Sequence, residues 1–290
     1  MSDVANRSDR LPLVGGMATM PSRATSLPRA LASVLPQVDR LYLFLDQYDK
    51  VPAWLAEHPK IVPLLALDHG RLGSNGKFLG ACIHPMACRY FCFDDDILYP
   101  DRYVQVLSEA LVRRDDRAVV GFHGALFKAP YSSYMRDRTV IHFSQGLDCD
   151  MSVDVIGTGT AAFHTGTFSI DSRKWHESNM DDLFFAIEAA NRGLPRVLVS
   201  RPPGFLVAIE EGQKDSLWHK LKRDDSRQTT RMRAAMKELP GAWQCSSESR
   251  KRLFGCQAAD PLDREPPKGC GFMRAIRGLC SMLARPSGSC

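Results

Sequence analysis

Residues 91–104 read FCFDDDILYPDRYV, and this stretch decides the fold. The apolar run 89–93 is a strand that would be buried on both faces. It runs into Asp94, Asp95 and Asp96, leaves through Tyr99 and Pro100, and continues as a helix over 103–113. Successive strand side chains point to opposite faces, so Asp94 and Asp96 are expected on one side. Two carboxylates on one side at a strand end suit a hard divalent cation, Mn²⁺ or Mg²⁺, which keeps water or phosphate oxygens among its ligands.

Working outward, the same arrangement recurs. Apolar strands are expected at 11–20, 41–45, 61–67 and 118–122, and helices at 26–35 and 77–87. Polar residues follow the strands: Arg23, Asp46, Asp68 and the acidic run at 94–96. Alternating strands and helices indicate an α/β fold with a mostly parallel sheet. In such sheets ligands bind outside the carboxyl ends of the strands. Further on, 156–164 reads as a strand carrying Gly157, Thr158, Gly159 and Thr160. Residues 180–192 read as a helix with Asp181 and Asp182 in its first turn, and 197–200 as a late strand.

The chain has 290 residues, of which 44% are hydrophobic and 24% charged. That composition excludes a disordered or collagen-like chain. A net charge of +5 is too small to make nucleic acid the expected partner. No apolar run approaches the ~20 residues of a membrane span, and with the polar start MSDVANRSDR a secretory signal is not expected. Nine cysteines without a CxxC pair suggest reduced thiols in a cytoplasmic protein rather than a zinc site. We expect a loose tail at 1–10, one domain at 11–252 and a basic Pro/Gly-rich tail at 253–290. In that last tail, 272–283 alternates apolar residues with Arg274 and Arg277, a pattern suited to docking on an anionic membrane or on a partner enzyme.

The run at 91–104 resembles the DxD segment of nucleotide-sugar-dependent glycosyltransferases of the GT-A fold. The resemblance is strongest to the bacterial N-acetylglucosaminyltransferases of heparosan capsule synthesis. Five further segments agree in order: ATMPSR at 18–23, GKF at 76–78, VGFHG at 120–124, FSQGL at 143–147 with GTGT at 157–160, and GQKDSLW at 212–218.

The resemblance implies a Rossmann-like nucleotide-sugar domain with an acceptor-side second half. Arg23 and Lys77 would meet ribose-phosphate or diphosphate oxygens, with Arg23 able to do so bidentately. Asp46 and Asp68 would accept from the nucleobase or ribose, and Asp94 and Asp95 would also contact the donor. Gly157 and Gly159 would let backbone approach the sugar, with Thr158 and Thr160 offering hydroxyls. Asp94 and Asp96 would hold the metal, joined by His219 as a late histidine ligand. Asp182 would face the acceptor hydroxyl, with Asp181 beside it. The expected activity is transfer of a hexose, N-acetylglucosamine by resemblance, from a UDP-sugar to a glycan hydroxyl, with retention of configuration. Two alternatives stay open at this point: a metal-dependent nucleotidyltransferase, and a non-catalytic glycan-binding module on the same fold.

Overall fold

A computed structural model describes residues 10–209 and 221–243. The strands β1 (Leu13–Thr19), β2 (Arg40–Leu45), β3 (Ile61–Leu65) and β4 (Arg89–Phe93) are mutually parallel in the order β3-β2-β1-β4. Their side chains alternate strictly between two apolar cores. Leu41, Leu43, Leu45, Phe91 and Phe93 enter one core, with Leu27 and Leu31 of the helix Leu27–Val34 and Leu107 of the helix Tyr103–Val112. Tyr42, Phe44, Tyr90 and Cys92 enter the other, against Leu183 and Phe185 of the helix Asp181–Asn191. A sheet covered on both faces needs such continuous apolar strands, which is why they were legible as unbroken runs.

Past β4 the sheet changes character. It continues through Ala162–His164, Val119–Gly121, Arg196–Leu198 and Met151–Ser152, making eight strands. Ala162–His164 runs antiparallel to both β4 and Val119–Gly121. The sheet is therefore mixed, where a mostly parallel one was expected. The strand expected over 156–164 is also broken. Val155–Ile156 pairs with Gly124–Phe127 in a separate three-stranded sheet, and Thr158–Thr160 is a turn of 3-10 helix before the chain rejoins the main sheet.

Strand order reverses at β1. The chain moves from β1 to β2 on one side and later returns to β4 on the other. This is the switch point at which open α/β sheets leave a crevice, and the segments after β1 and β4 border it. Among the described residues, no helix is long and apolar enough to cross a membrane.

Candidate functional site

A cavity of about 370 Å³ opens at that switch point. Its walls include Arg23 and Thr19 from the end of β1, Asp46 and Gln47 from the end of β2, and Asp94, Asp95 and Asp96 from the end of β4. Ser74 and Lys77 enter from the turn Gly73–Phe78, Thr158 from the 3-10 turn, and Asn179, Asp181 and Asp182 from the start of the helix Asp181–Asn191.

Lys77 is the centre of the charge network. Its side chain is only 4% exposed, and Nζ lies 2.5 Å from Asp94 Oδ1 and 3.1 Å from Asp181 Oδ2. Burial opposes charge on this ammonium, but the carboxylates of Asp181 and Asp94 outweigh it and hold its pKa well above the usual lysine value. The backbone makes this placement possible at Gly16 of β1: a Cβ there would lie 2.0 Å from the Lys77 carbonyl oxygen, which also accepts from the Tyr90 hydroxyl at 2.7 Å.

The two acids at the helix start behave oppositely. Asp181 is buried, which opposes ionisation. Lys77, and the Ser74 and Thr158 hydroxyls that donate to its carboxylate, override that and lower its pKa. Asp182 is half-buried and accepts from the Thr158 backbone N–H at 2.7 Å. Burial and the charge of Asp181 push its pKa up to about 6. One acid anchors Lys77, and the other holds a proton affinity suited to exchange near neutral pH.

The acidic run is strained electrostatically in the same way. Asp95 is buried beside Arg23, whose Nε lies 4.0 Å away; burial, with the charges of Asp96 and Asp94, pushes its pKa up to about 7. Burial and the Asp94 charge push Asp96 up to about 6. Asp94 and Asp96 line the same cavity, so hard oxygen donors with surplus negative charge converge there. That donor set fits Mn²⁺ or Mg²⁺. Among the described residues no group of three or more His, Cys, Asp or Glu forms a metal cage, so water and phosphate oxygens would complete the coordination.

A second cavity, of about 390 Å³, adjoins the first. Asp94, Thr158 and Asp182 line both. Its other walls include His123, Arg138, His142, Phe143 and the turn Gly157–Thr160. The His123 and His142 rings meet edge to face, 5.2 Å between centroids, and Phe143 packs against His142 at 4.1 Å. Burial, with the positive charge of Arg138 and Arg201 nearby, lowers the His123 pKa to about 3, so its ring is neutral.

Most expected site residues gather here: Arg23, Asp46, Lys77, Asp94, Asp95, Asp96, Thr158, Asp181 and Asp182 around the first cavity, and Gly157, Gly159 and Thr160 around the second. Asp68 does not. β3 ends at Leu65, and the helical turn Ala66–His69 carries Asp68 to the exposed surface, outside both cavities. Two roles also change. Lys77, expected to meet phosphate oxygens, is instead paired with the carboxylates of Asp94 and Asp181. Thr160 spends its hydroxyl on backbone, accepting from the N–H groups of Phe122 and His123 at 3.2 and 3.0 Å and donating to the Gly157 carbonyl. Asp94 and its two neighbours directly follow the strand Arg89–Phe93, with the bounds expected from the sequence. His219, with Trp218 and the tail at 253–290, lies outside the described residues.

Sequence reasoning missed Ser74, Asn179 and Gln47. Gln47 and Asn179 have φ of 61°, and Asn179 Oδ1 accepts from the Ser74 N–H at 3.0 Å beside Gly73 at φ 56°. The signal available was the Gly-Ser-Asn-Gly run, a turn composition whose partner lies a hundred residues on. The chain matches no known family model and no curated protein.

Proposed function

We propose that the protein is a GT-A glycosyltransferase that transfers a hexose, N-acetylglucosamine by the sequence resemblance, from a UDP-sugar to a glycan hydroxyl. One observation carries the reading: Asp94, Thr158 and Asp182 form a wall common to two cavities of similar size. The cavity at the switch point has the acids and cations that suit a nucleotide diphosphate. The other has the aromatic and polar surface that suits a sugar. A group passing between them crosses that wall.

In this reading Arg23 contacts the donor's phosphate oxygens, and Asp46 accepts from its nucleoside. Asp94 and Asp96 hold Mn²⁺ or Mg²⁺, which when bound supplies positive charge to the departing diphosphate. Lys77 keeps Asp181 ionised and pairs with Asp94, holding both in place. Thr158 presents its N–H to Asp182 and shares its hydroxyl between Asp181 and Asp182, and Asp182 orients the acceptor hydroxyl in the second cavity. With retention of configuration the departing phosphate takes the acceptor proton, and Asp182 stabilises the charge that develops. The protein works in the cytoplasm, at the inner face of the membrane when its C-terminal tail docks there. Reduced thiols suit that compartment; Cys82, Cys88, Cys92 and Cys149 are free, and Cys88 and Cys92 are buried.

The test is product identification with a panel of UDP-sugars. UDP should be released, EDTA should abolish its release, and Mn²⁺ or Mg²⁺ should restore it. Asp96→Ala should lose at least about 10²-fold in rate. Release of pyrophosphate when UTP and a sugar 1-phosphate replace the UDP-sugar would identify a nucleotidyltransferase instead, and full turnover in EDTA would remove the metal role of Asp94 and Asp96.

A further inference from the structure

Tyr99 lies in neither cavity wall, yet its hydroxyl joins the two segments that separate them. It accepts from the Asp94 backbone N–H at 2.7 Å and donates to the Gly159 carbonyl at 2.7 Å. Asp94 follows β4, and Gly159 belongs to the turn Thr158–Thr160. The two segments also touch directly. A Cβ on Gly159 would lie 1.9 Å from Asp94 Oδ2, so the carboxylate rests against the turn's backbone.

The ring of Tyr99 is fixed independently of its hydroxyl. It packs edge-on against Phe93 and Tyr103, at 4.9 and 4.7 Å between centroids, and its backbone N–H donates to Ser33 Oγ at 3.2 Å. The residue is 3% exposed. Packing therefore settles where the ring sits, and the hydroxyl is left to fix the spacing of the chains on either side. Tyr103 gives the contrast. It is equally buried in the same aromatic stack, but its hydroxyl finds no hydrogen-bond partner among the described residues.

We infer that Tyr99 is a positioning residue: its hydroxyl sets the separation between Asp94 on the nucleotide side and the turn whose Thr158 hydrogen-bonds Asp182 on the acceptor side. The inference deepens the glycosyltransferase reading and rests on it for its kinetic consequence. Removing the hydroxyl leaves both cavities present but out of register. Donor binding needs the first cavity alone, whereas transfer needs both, and a displacement of about 1 Å between reacting groups can cost 10²-fold.

The experiment compares Tyr99→Phe with Tyr103→Phe in the full-length protein. Amide hydrogen exchange reads the link without any substrate. Exchange at Asp94 should accelerate at least about tenfold in Tyr99→Phe and stay at the wild-type rate in Tyr103→Phe. Kinetics then read the consequence. Transfer kcat should fall about 10- to 100-fold in Tyr99→Phe, while donor hydrolysis falls less, so hydrolysis per transfer event rises about tenfold. Simple loss of folded protein would lower both in proportion. Unchanged Asp94 exchange in Tyr99→Phe overturns the inference, as does a parallel fall of hydrolysis and transfer. A wild-type protein that acts on no UDP-sugar refutes the glycosyltransferase reading, and the exchange comparison still decides whether Tyr99 holds Asp94.

Discussion

Replacing Lys77 with methionine keeps most of the side-chain volume and removes the charge at the centre of the network. Two carboxylates then lose their counter-ion, and they are not equivalent. The Asp181 side chain is 10% exposed, so its charge stays buried and uncompensated. Breaking a buried pair from one side costs about 3–5 kcal/mol. The Asp94 side chain is 38% exposed, so solvent screens it and its share stays below about 1 kcal/mol. Ser74 and Thr158 still donate to Asp181, which favours the lower end of the range. We expect a loss of about 3 kcal/mol at pH 7, or roughly 6–12 °C in Tm for a domain of this size. The pH dependence follows from Asp181, whose folded-state pKa is lowered by Lys77. Its contribution to wild-type stability is present above the unfolded value of about 3.9 and is lost as pH falls through the folded value. Without Lys77, burial is the largest influence left and holds the Asp181 carboxyl above its unfolded value, so in the variant acid neutralises that buried charge first and the gap to wild type should narrow as pH is lowered from 7 toward 4. Urea denaturation at pH 7 and pH 4.5 measures both quantities. A deficit below about 1 kcal/mol at pH 7, or one that does not shrink with acid, would refute a buried Lys77–Asp181 pair.

Three other substitutions test the site. Asp182 has a folded-state pKa raised to about 6, so its ionisation costs stability as pH rises through that value. Asp182→Asn should therefore raise Tm at pH 8 and leave it unchanged at pH 4, and its transfer defect should stay below about 10³-fold and appear partly in acceptor KM. Gly159→Ala puts a methyl group on the Asp94 carboxylate, which can swing away; Tm should hold within about 2 °C while UDP binding in Mn²⁺ weakens at least about tenfold. Asp68→Ala should leave UDP affinity within about twofold of wild type by calorimetry, because Asp68 lies outside both cavities.

The first half of the fold was legible because its information is local. Strands β1 to β4 are covered on both faces, so each reads as an apolar run, and each run stops where polar residues begin. Arg23, Asp46 and Asp94 reach the cavity for that reason. Asp68 shows the limit of the rule: β3 stops two residues before the apolar run does, and the turn that follows rotates the acid away. The GTGT segment misled for a different reason. Its threonines favour a strand, but Thr160 satisfies backbone N–H groups with its side chain, which lets the chain turn without a ladder. The roles of Lys77, Thr158 and Tyr99 were not legible at all. Each depends on partners brought together by the fold: Lys77 with Asp181, Thr158 with Asp182, Tyr99 with Gly159. Spacing along a chain cannot report such pairs.

The reversed strand Ala162–His164 has a consequence for synthesis. A ribosome that has exposed the first hundred residues has already delivered β1 to β4, the parallel block with its own helices and short-range pairings. The partner that covers the open edge of β4 emerges roughly seventy positions later, when Ala162 reaches Phe91. Until then β4 presents unpaired amides and carbonyls to any other strand in the cell. Thr158, Asp181 and Asp182 arrive with or after that closing strand. The nascent protein thus carries its acids at 94–96 long before it owns a pocket, and ligand binding would report that this closing strand has docked.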